Sequence, residues 1–320
     1  MILLLSLPLG IILAIYFIYH NYKLPNSTDS SFMKGKLIGH RCVHSDESNL
    51  PDNSISSAMY GLQQGLDGLE FDIMESKDNE IFIFHDPTTM SNRCIIPDGF
   101  NEKSCISNLR SSDIKKFAFK IKNGDSYPPT LPEFIKSIHT YTSSNRSKKI
   151  LFIEIKDFSE HGEPKIVEQI AQFFIDHPHL YDCAVVASFS AISLYKVKKN
   201  NPKIVTSIIT KKDVLRIWYS EGLFKDLFKW PLVFRMFLPL TIHILDALFY
   251  LCAMRILPSF LGVGMISFET SKDLQKDLQM VKWIQSRGYQ VNTYVVNNAH
   301  HKKQLMIHKA LVTTDYTRDK

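Results

Sequence analysis

No Cys-x-x-Cys pair occurs among the five cysteines of this 320-residue chain, which removes the zinc-ribbon and thioredoxin-type readings that such spacing supports. A concentrated basic stripe is also missing. The 38 basic and 32 acidic residues leave a net charge of +6, dispersed apart from doublets such as Lys198-Lys199 and Lys211-Lys212. A nucleic-acid partner needs such a stripe and is not expected. The mild positive excess fits anionic lipid headgroups or an ordinary solvated surface.

Residues 1–22 hold no Asp, Glu, Lys or Arg, and Ile2 to Tyr19 is almost wholly apolar, about the length that crosses a bilayer. Lacking a basic n-region and a small-residue cleavage site, the stretch reads as an uncleaved, single N-terminal anchor. A polar juxtamembrane linker, 23–35, follows. Lys23, Lys34 and Lys36, which follow the apolar segment, point to a cytoplasmic catalytic part. The sequons Asn26-Ser27-Thr28 and Asn145-Arg146-Ser147, which would make a glycoprotein, and a disulfide that Cys94 and Cys105 could close point to the lumenal or extracellular side. We take that side as the expectation.

From residue 36 to 320 the chain reads as one large domain. Apolar, β-branched runs lie at Leu37–Gly39, Leu66–Ile73, Ile150–Ile155, Ala184–Ser188, Ile204–Ile209, Gly264–Phe268, Gln290–Val296 and Ala310–Thr313, separated by helix-length intervals. Eight such runs predict an α/β (β/α)8 barrel, with a three-layer parallel sheet as the alternative. Two insertions interrupt the repeat. The polar stretch 90–130 reads as a loop or small subdomain over the site. The stretch 223–265 is aromatic and aliphatic but broken by Arg235, Asp246 and Arg255, so it reads as helices in the membrane interface, an apolar lid, or a long barrel helix.

Within 39–86 the strings Gly39-His40-Arg41, Gly68-Leu69-Glu70-Phe71-Asp72 and Phe84-His85-Asp86 bring two histidines, an arginine and several carboxylates. Glu70 and Asp72 are two apart in a strand and so share a face, which suits a hard divalent cation. Ser76–Glu80 is a turn signal. A turn centred between Asp78 and Asn79 would set residue 72 opposite residue 85, bringing His85 beside the Asp72 carboxylate, whereas a one-residue slip would send it to the other face. His40 and Arg41 follow the first run, and Glu154 and Lys156 end the third, the strand ends at which barrel enzymes place their chemistry. An all-oxygen ligand set argues for Mg²⁺ or Ca²⁺ over zinc.

These strings, together with Pro51-Asp52-Asn53-Ser54, Phe84-His85-Asp86, Phe152-Ile153-Glu154-Ile155-Lys156, Ser188-Phe189, Tyr294-Val295-Val296-Asn297 and Thr314-Asp315-Tyr316, resemble the glycerophosphodiester phosphodiesterase family, in family order over nearly the whole soluble part. Within it, the apolar N-terminus and the insertion around Leu248-Phe249-Tyr250-Leu251-Cys252 look most like the animal membrane-anchored member acting on glycerophosphoinositol. The resemblance implies a TIM barrel of the phospholipase-C-like phosphodiesterase type. It implies Glu70, Asp72 and Glu154 as metal ligands, His40 and His85 as the acid/base pair, Arg41 and Lys156 as phosphate contacts, and Asn53 and Asn297 in support. It departs at Asp52, shorter than the family's Glu, at Cys42, where a glycine is usual, and at Tyr294 and Thr317. The implied reaction is metal-dependent hydrolysis of a small glycerophosphodiester at a membrane, to glycerol 3-phosphate and an alcohol. The alternatives are lysophospholipase D action on a lysophospholipid or N-acyl-ethanolamine glycerophosphate, or a non-catalytic membrane adaptor.

Overall fold

Every apolar run picked out above becomes a strand in the computed structural model, which describes residues 17, 19–27, 30–156, 165–214, 216, 232–271 and 273–317, without the side chains of 45, 47 and 232–240. In chain order these are β1 (Leu37–Gly39), β2 (Gly68–Glu75), β3 (Ile81–Ile83), β4 (Ile150–Ile155), β5 (Ala184–Ser188), β6 (Val205–Thr210), β7 (Met265–Glu269), β8 (Gln290–Tyr294) and β9 (Leu311–Thr314). The neighbour order is β1-β9-β8-β7-β6-β5-β4-β2-β3, and β1 also pairs with β2. The eight strands other than β3 thus close a parallel barrel, which decides against the open three-layer sheet. β3 hangs on β2 as an antiparallel hairpin arm.

Helices α1 (Ile55–Gln63), α2 (Leu131–Ser144), α3 (Ile166–Asp176), α4 (Ala191–Asn200), α5 (Leu232–Arg255), α6 (Leu257–Leu261), α7 (Leu274–Ser286) and α8 (Ala299–Ile307) surround the barrel. Their starts are written locally. Thr130 and Glu133 form a capping box at α2, Ser54 and Ser57 one at α1, and Asp273 and Asn298 cap α7 and α8, each satisfying amide donors that the first turn leaves free. With both faces covered, a strand such as β4 is buried at every residue.

The hairpin register differs by one from the expected. Ile73 faces Ile83 and Glu75 faces Ile81, so residue 72 faces 84 and Phe84 N donates to Asp72 O at 3.0 Å. Asp78 lies at the centre of the turn. Its carboxylate accepts from Ser76 Oγ, which in turn accepts from the Glu80 amide, and Asn79 takes a left-handed φ of 66°. His85 still reaches the site, because the strand ends at Ile83 and side-chain alternation no longer governs it.

The insertion after β3 folds over that hairpin with a small core of its own, in which Phe82, Phe84, Met90, Ile106, Phe117 and Phe119 meet. Cys94 and Cys105 are buried as free thiols, so of the two states open to them, paired or free, the structure has the second. The later insertion contributes α5 and α6; residues 223–231 of it lie outside the described residues, as does the anchor apart from 17 and 19–22. Among the described residues no helix is long and apolar enough to cross a membrane. The stretch read as a linker is a strap on the barrel floor. Leu24 N donates to Phe260 O, Ser27 Oγ donates to Gly262 O at 2.9 Å, and Met33 is fully buried among interior residues that include Ile38, Phe152 and Met265.

Candidate active site

At the carboxyl end of the barrel, register sets the carboxylates. Asp72 on β2 pairs with Glu154 on β4, and Glu70 precedes Asp72 by two on the same face. All three are buried, with one oxygen of each within 4.8 Å of the others. Lys156 spans them, its ammonium 3.2 Å from Asp72 Oδ1 and also paired with Glu154. Burial alone would push the Asp72 carboxyl up, but Lys156, His85, Arg41 and a hydrogen bond from Asn53 Nδ2 at 2.8 Å outweigh it and hold it well below the usual range. Glu70 is pushed well up by burial and by the charges of Asp72 and Glu154. Burial also raises Glu154, opposed by Lys156. Lys156 is raised, since the three carboxylates outweigh its burial.

The turn after β1 is backbone-strained. Arg41 and Cys42 take φ of 49° and 73°, a left-handed conformation that costs a residue with a Cβ roughly 1–2 kcal/mol. Two bonds to Glu70 hold it there, from Arg41 N to Oε2 at 2.6 Å and from Cys42 N to the backbone oxygen at 2.7 Å. The cysteine that replaces the usual glycine is accommodated by burying its thiol in the core. Asn53, also left-handed, takes the Arg41 carbonyl on its amide and clamps Asp72 through both side-chain atoms.

Each histidine has an aspartate on Nδ1. His40 Nδ1 lies 2.5 Å from Asp315 Oδ1, and Asn297 Nδ2 holds the other Asp315 oxygen at 2.7 Å. His85 Nδ1 lies 2.7 Å from Asp86 Oδ1, while its Nε2 faces Arg41 Nη2 at 2.8 Å. Guanidinium groups only donate, so Nε2 of His85 is the acceptor and Nδ1 carries the proton. Burial lowers His85 to about 4, against the pull of Asp72 and Asp86. Asp86 and Asp315 both fall to about 2, because their histidine partners, with Arg93 for the first and Asn297 for the second, overcome burial.

The structure therefore brings together His40, Arg41, Glu70, Asp72, His85, Glu154 and Lys156, with Asn53 and Asn297 behind them. The partner roles of Asp86 and Asp315 were not read from the sequence, although both lie in the quoted strings. Arg93, from the insertion, was missed altogether. Its Nη1 reaches Asp52 at 2.6 Å and its Nε reaches Asp86 at 3.0 Å, so the shortened Asp52 still serves the site through this link.

Two buried polar atoms here have no hydrogen-bond partner, Glu70 Oε1 and Arg41 Nε. An acceptor without a donor among three carboxylates fits a cation, and an unused guanidinium N–H on a residue lining the same pocket fits an anionic oxygen. The pocket encloses about 180 Å³. Phe152, Phe189, Ile209 and Val295 line it with the catalytic groups, and Lys211, Glu269 and Tyr294 stand on the side away from the histidines.

The glycerophosphoryl diester phosphodiesterase family model matches residues 40–318. The glycerophosphodiester phosphodiesterase of Caldanaerobacter subterraneus subsp. tengcongensis is 26% identical over 194 residues, covering 58% of this chain and 71% of that protein. The human glycerophosphodiester phosphodiesterase 1 is 23% identical over 257 residues, covering 76% and 69%. Bacterial and animal relatives match at similar identity, so the likeness does not single out the animal member. Among solved structures, an Oleispira antarctica phosphodiesterase in complex with the product sn-glycerol-3-phosphate superimposes with a TM-score of 0.59 at 21% identity, over 88% of this chain and 93% of that one. A glycerophosphodiester phosphodiesterase of Parabacteroides distasonis gives 0.55 at 17%, over 91% and 94%.

Proposed function

The chain belongs to the glycerophosphoryl diester phosphodiesterase family and is a phosphodiesterase, and from that premise we propose that it hydrolyses a small glycerophosphodiester, of the glycerophosphoinositol kind, to glycerol 3-phosphate and an alcohol. The observation that carries the reading is the pair of unpartnered atoms, Glu70 Oε1 and Arg41 Nε, between two histidine–aspartate pairs. Membership of an enzyme family sets the adaptor reading aside.

Glu70, Asp72 and Glu154 would hold Mg²⁺ or Ca²⁺, which supplies Lewis-acid stabilisation of charge on the phosphoryl oxygens. Arg41 and Lys156 bind those oxygens and offset the charge that grows in the transition state. His85, neutral at working pH, takes the proton of the nucleophile on Nε2 once Arg41 Nη2, its partner in the resting site, turns to a phosphoryl oxygen. That nucleophile is water or the neighbouring glycerol hydroxyl, the second giving a cyclic phosphate first. His40 returns a proton to the departing alkoxide. Each transfer is worth on the order of 10²- to 10⁴-fold. The four apolar side chains lining the pocket favour lysophospholipase D action as the second reading.

We place the enzyme at a membrane, held by residues 1–22. The exposed Asn26 and Asn145 support a lumenal or extracellular side, while the unpaired Cys94 and Cys105 no longer do. The test uses the full chain in detergent with glycerophosphoinositol and with lysophospholipids, under Mg²⁺, Ca²⁺ or EDTA, beside His85→Ala. Cation-dependent release of glycerol 3-phosphate that the substitution abolishes supports the proposal. Release of lysophosphatidic acid alone replaces it with the second reading.

A further inference from the structure

α5 carries an apolar stripe that stands half exposed among the described residues. Ile244, Leu245, Leu248 and Leu251 are each about half exposed, and at that spacing they share one helical face. The opposite side is engaged: Ile242, Asp246, Ala253 and Met254 are buried. Asp246 is the only acid between residues 241 and 256, so none lies on the stripe.

Aromatic rings and cations gather at the C-terminal end of the stripe. Arg255, on the exposed side, sets its guanidinium over Trp283 at 5.4 Å. Arg287 covers the same ring at 4.8 Å and Tyr289 at 5.6 Å, and its Nη1 and Nη2 donate to the carbonyls of Met254 and Arg255. Next to them, Tyr19 bonds Ser259 of α6 at 2.7 Å and packs on Phe260, with Lys23 over its ring. Tyr19, near the end of the stretch with no Asp, Glu, Lys or Arg, therefore meets the barrel beside the end of the stripe.

An apolar helical face bounded by rings that have polar tips and by cations matches the depth order of a bilayer, with acyl chain inside and anionic headgroup outside. We infer that this flank is a second membrane contact, in which the α5 stripe lies among the acyl chains of an anionic bilayer and Arg255, Arg287 and Lys23 lie at headgroup level. It is independent of which phosphodiester is cleaved, and it sets the barrel on its side instead of hanging it from one tether.

The full chain carrying Cys252→Ser and Leu248→Cys is labelled with an environment-sensitive fluorophore and mixed with phosphatidylcholine vesicles containing phosphatidylserine. The control label sits at Ile175→Cys on α3, an exposed apolar position away from the flank. The expected result is a blue-shifted, brighter signal at 248 that nitroxide lipids quench, with none of this at 175. Leu245→Glu with Leu251→Glu should leave turnover of a soluble glycerophosphodiester intact, which shows that the barrel is folded, while removing the blue shift and the nitroxide quenching of the label at 248. Three outcomes overturn the inference: equal signals at 175 and 248 on vesicles to which the chain is bound, an unchanged signal at 248 in the double variant, or a change at 248 that needs no vesicles and grows with protein concentration, which would make a second copy the occupant.

Discussion

Asp315 lies 2.5 Å from Nδ1 of His40 although 275 residues separate them. The first and last strands are neighbours in the closed barrel, so this pair forms only when the barrel shuts. A site histidine is thereby oriented by the completion of the fold.

Replacing Asp315 by Asn keeps the shape but frees the imidazole to choose its tautomer. kcat should fall by about 10²-fold, within the span of one acid/base group, with KM little changed. Asn297→Ala, which removes the hydrogen bond to the far oxygen, should give a smaller loss of the same kind. A rise in KM with kcat intact would instead make Asp315 a binding residue.

Divalent cations should stabilise the fold. Three buried carboxylates share one lysine, and a cation at a hundredfold excess over its Kd adds about 2.7 kcal/mol. Calorimetry with Mg²⁺, Ca²⁺ and EDTA reads this as a shift in Tm. Glu70→Gln should melt higher than the parent in EDTA, because a raised carboxyl is removed, yet gain nothing from the cation. A Tm indifferent to cations in the parent would count against the ligand set.

Acid should destabilise the enzyme in two stages. His85 is lowered from 6.5 to about 4, so as pH falls through that window the unfolded chain takes up the proton first and stability is lost, on the order of 3 kcal/mol. Asp86 and Asp315, lowered from 3.8 to about 2, contribute stability above 3.8 that disappears as pH falls to 2. Glu70 and Glu154 are raised and run the opposite way, favouring the fold as pH falls toward their unfolded value. Chemical denaturation across pH should show a shallower upper slope in His85→Gln, and a steeper one in the parent when a bound cation keeps the glutamates ionised.

Lys211 pairs with Glu269 at 3.0 Å across the pocket from the histidines. Neutralising Glu269 disfavours a quaternary ammonium headgroup, whereas both partners can bond a polyol. Lys211→Met should raise kcat/KM for glycerophosphocholine relative to glycerophosphoinositol by about fivefold, the scale of one partly exposed ion pair. An unchanged ratio would remove the pair from headgroup choice.

The barrel was legible because its strands are short apolar runs between polar intervals, and burial on both faces leaves little else for a run such as Ile150–Ile155 to become. The site was legible where chemistry sits in local strings, as in Glu70 with Asp72 or Glu154 with Lys156. Counting failed at the hairpin: Asn79 sits left-handed after a turn centred on Asp78, a choice made by the Ser76 hydroxyl that spacing does not reveal. It failed also for partnerships that exist only in three dimensions. Nothing near Asp315 in the chain mentions His40, and Arg93 sits in an insertion whose polar composition reads as loop.

Met33 stoppers the barrel from below, and Lys198, its pKa lowered to about 8 by burial, fastens the strap by donating to Ser27 Oγ at 3.0 Å. A vessel sealed at its base has one door. Substrate and both products of the proposed reaction would then share a single route, through the pocket that Arg41 and Lys156 line. Under the proposed reaction, accumulating phosphomonoester would compete with fresh diester for the same two cations.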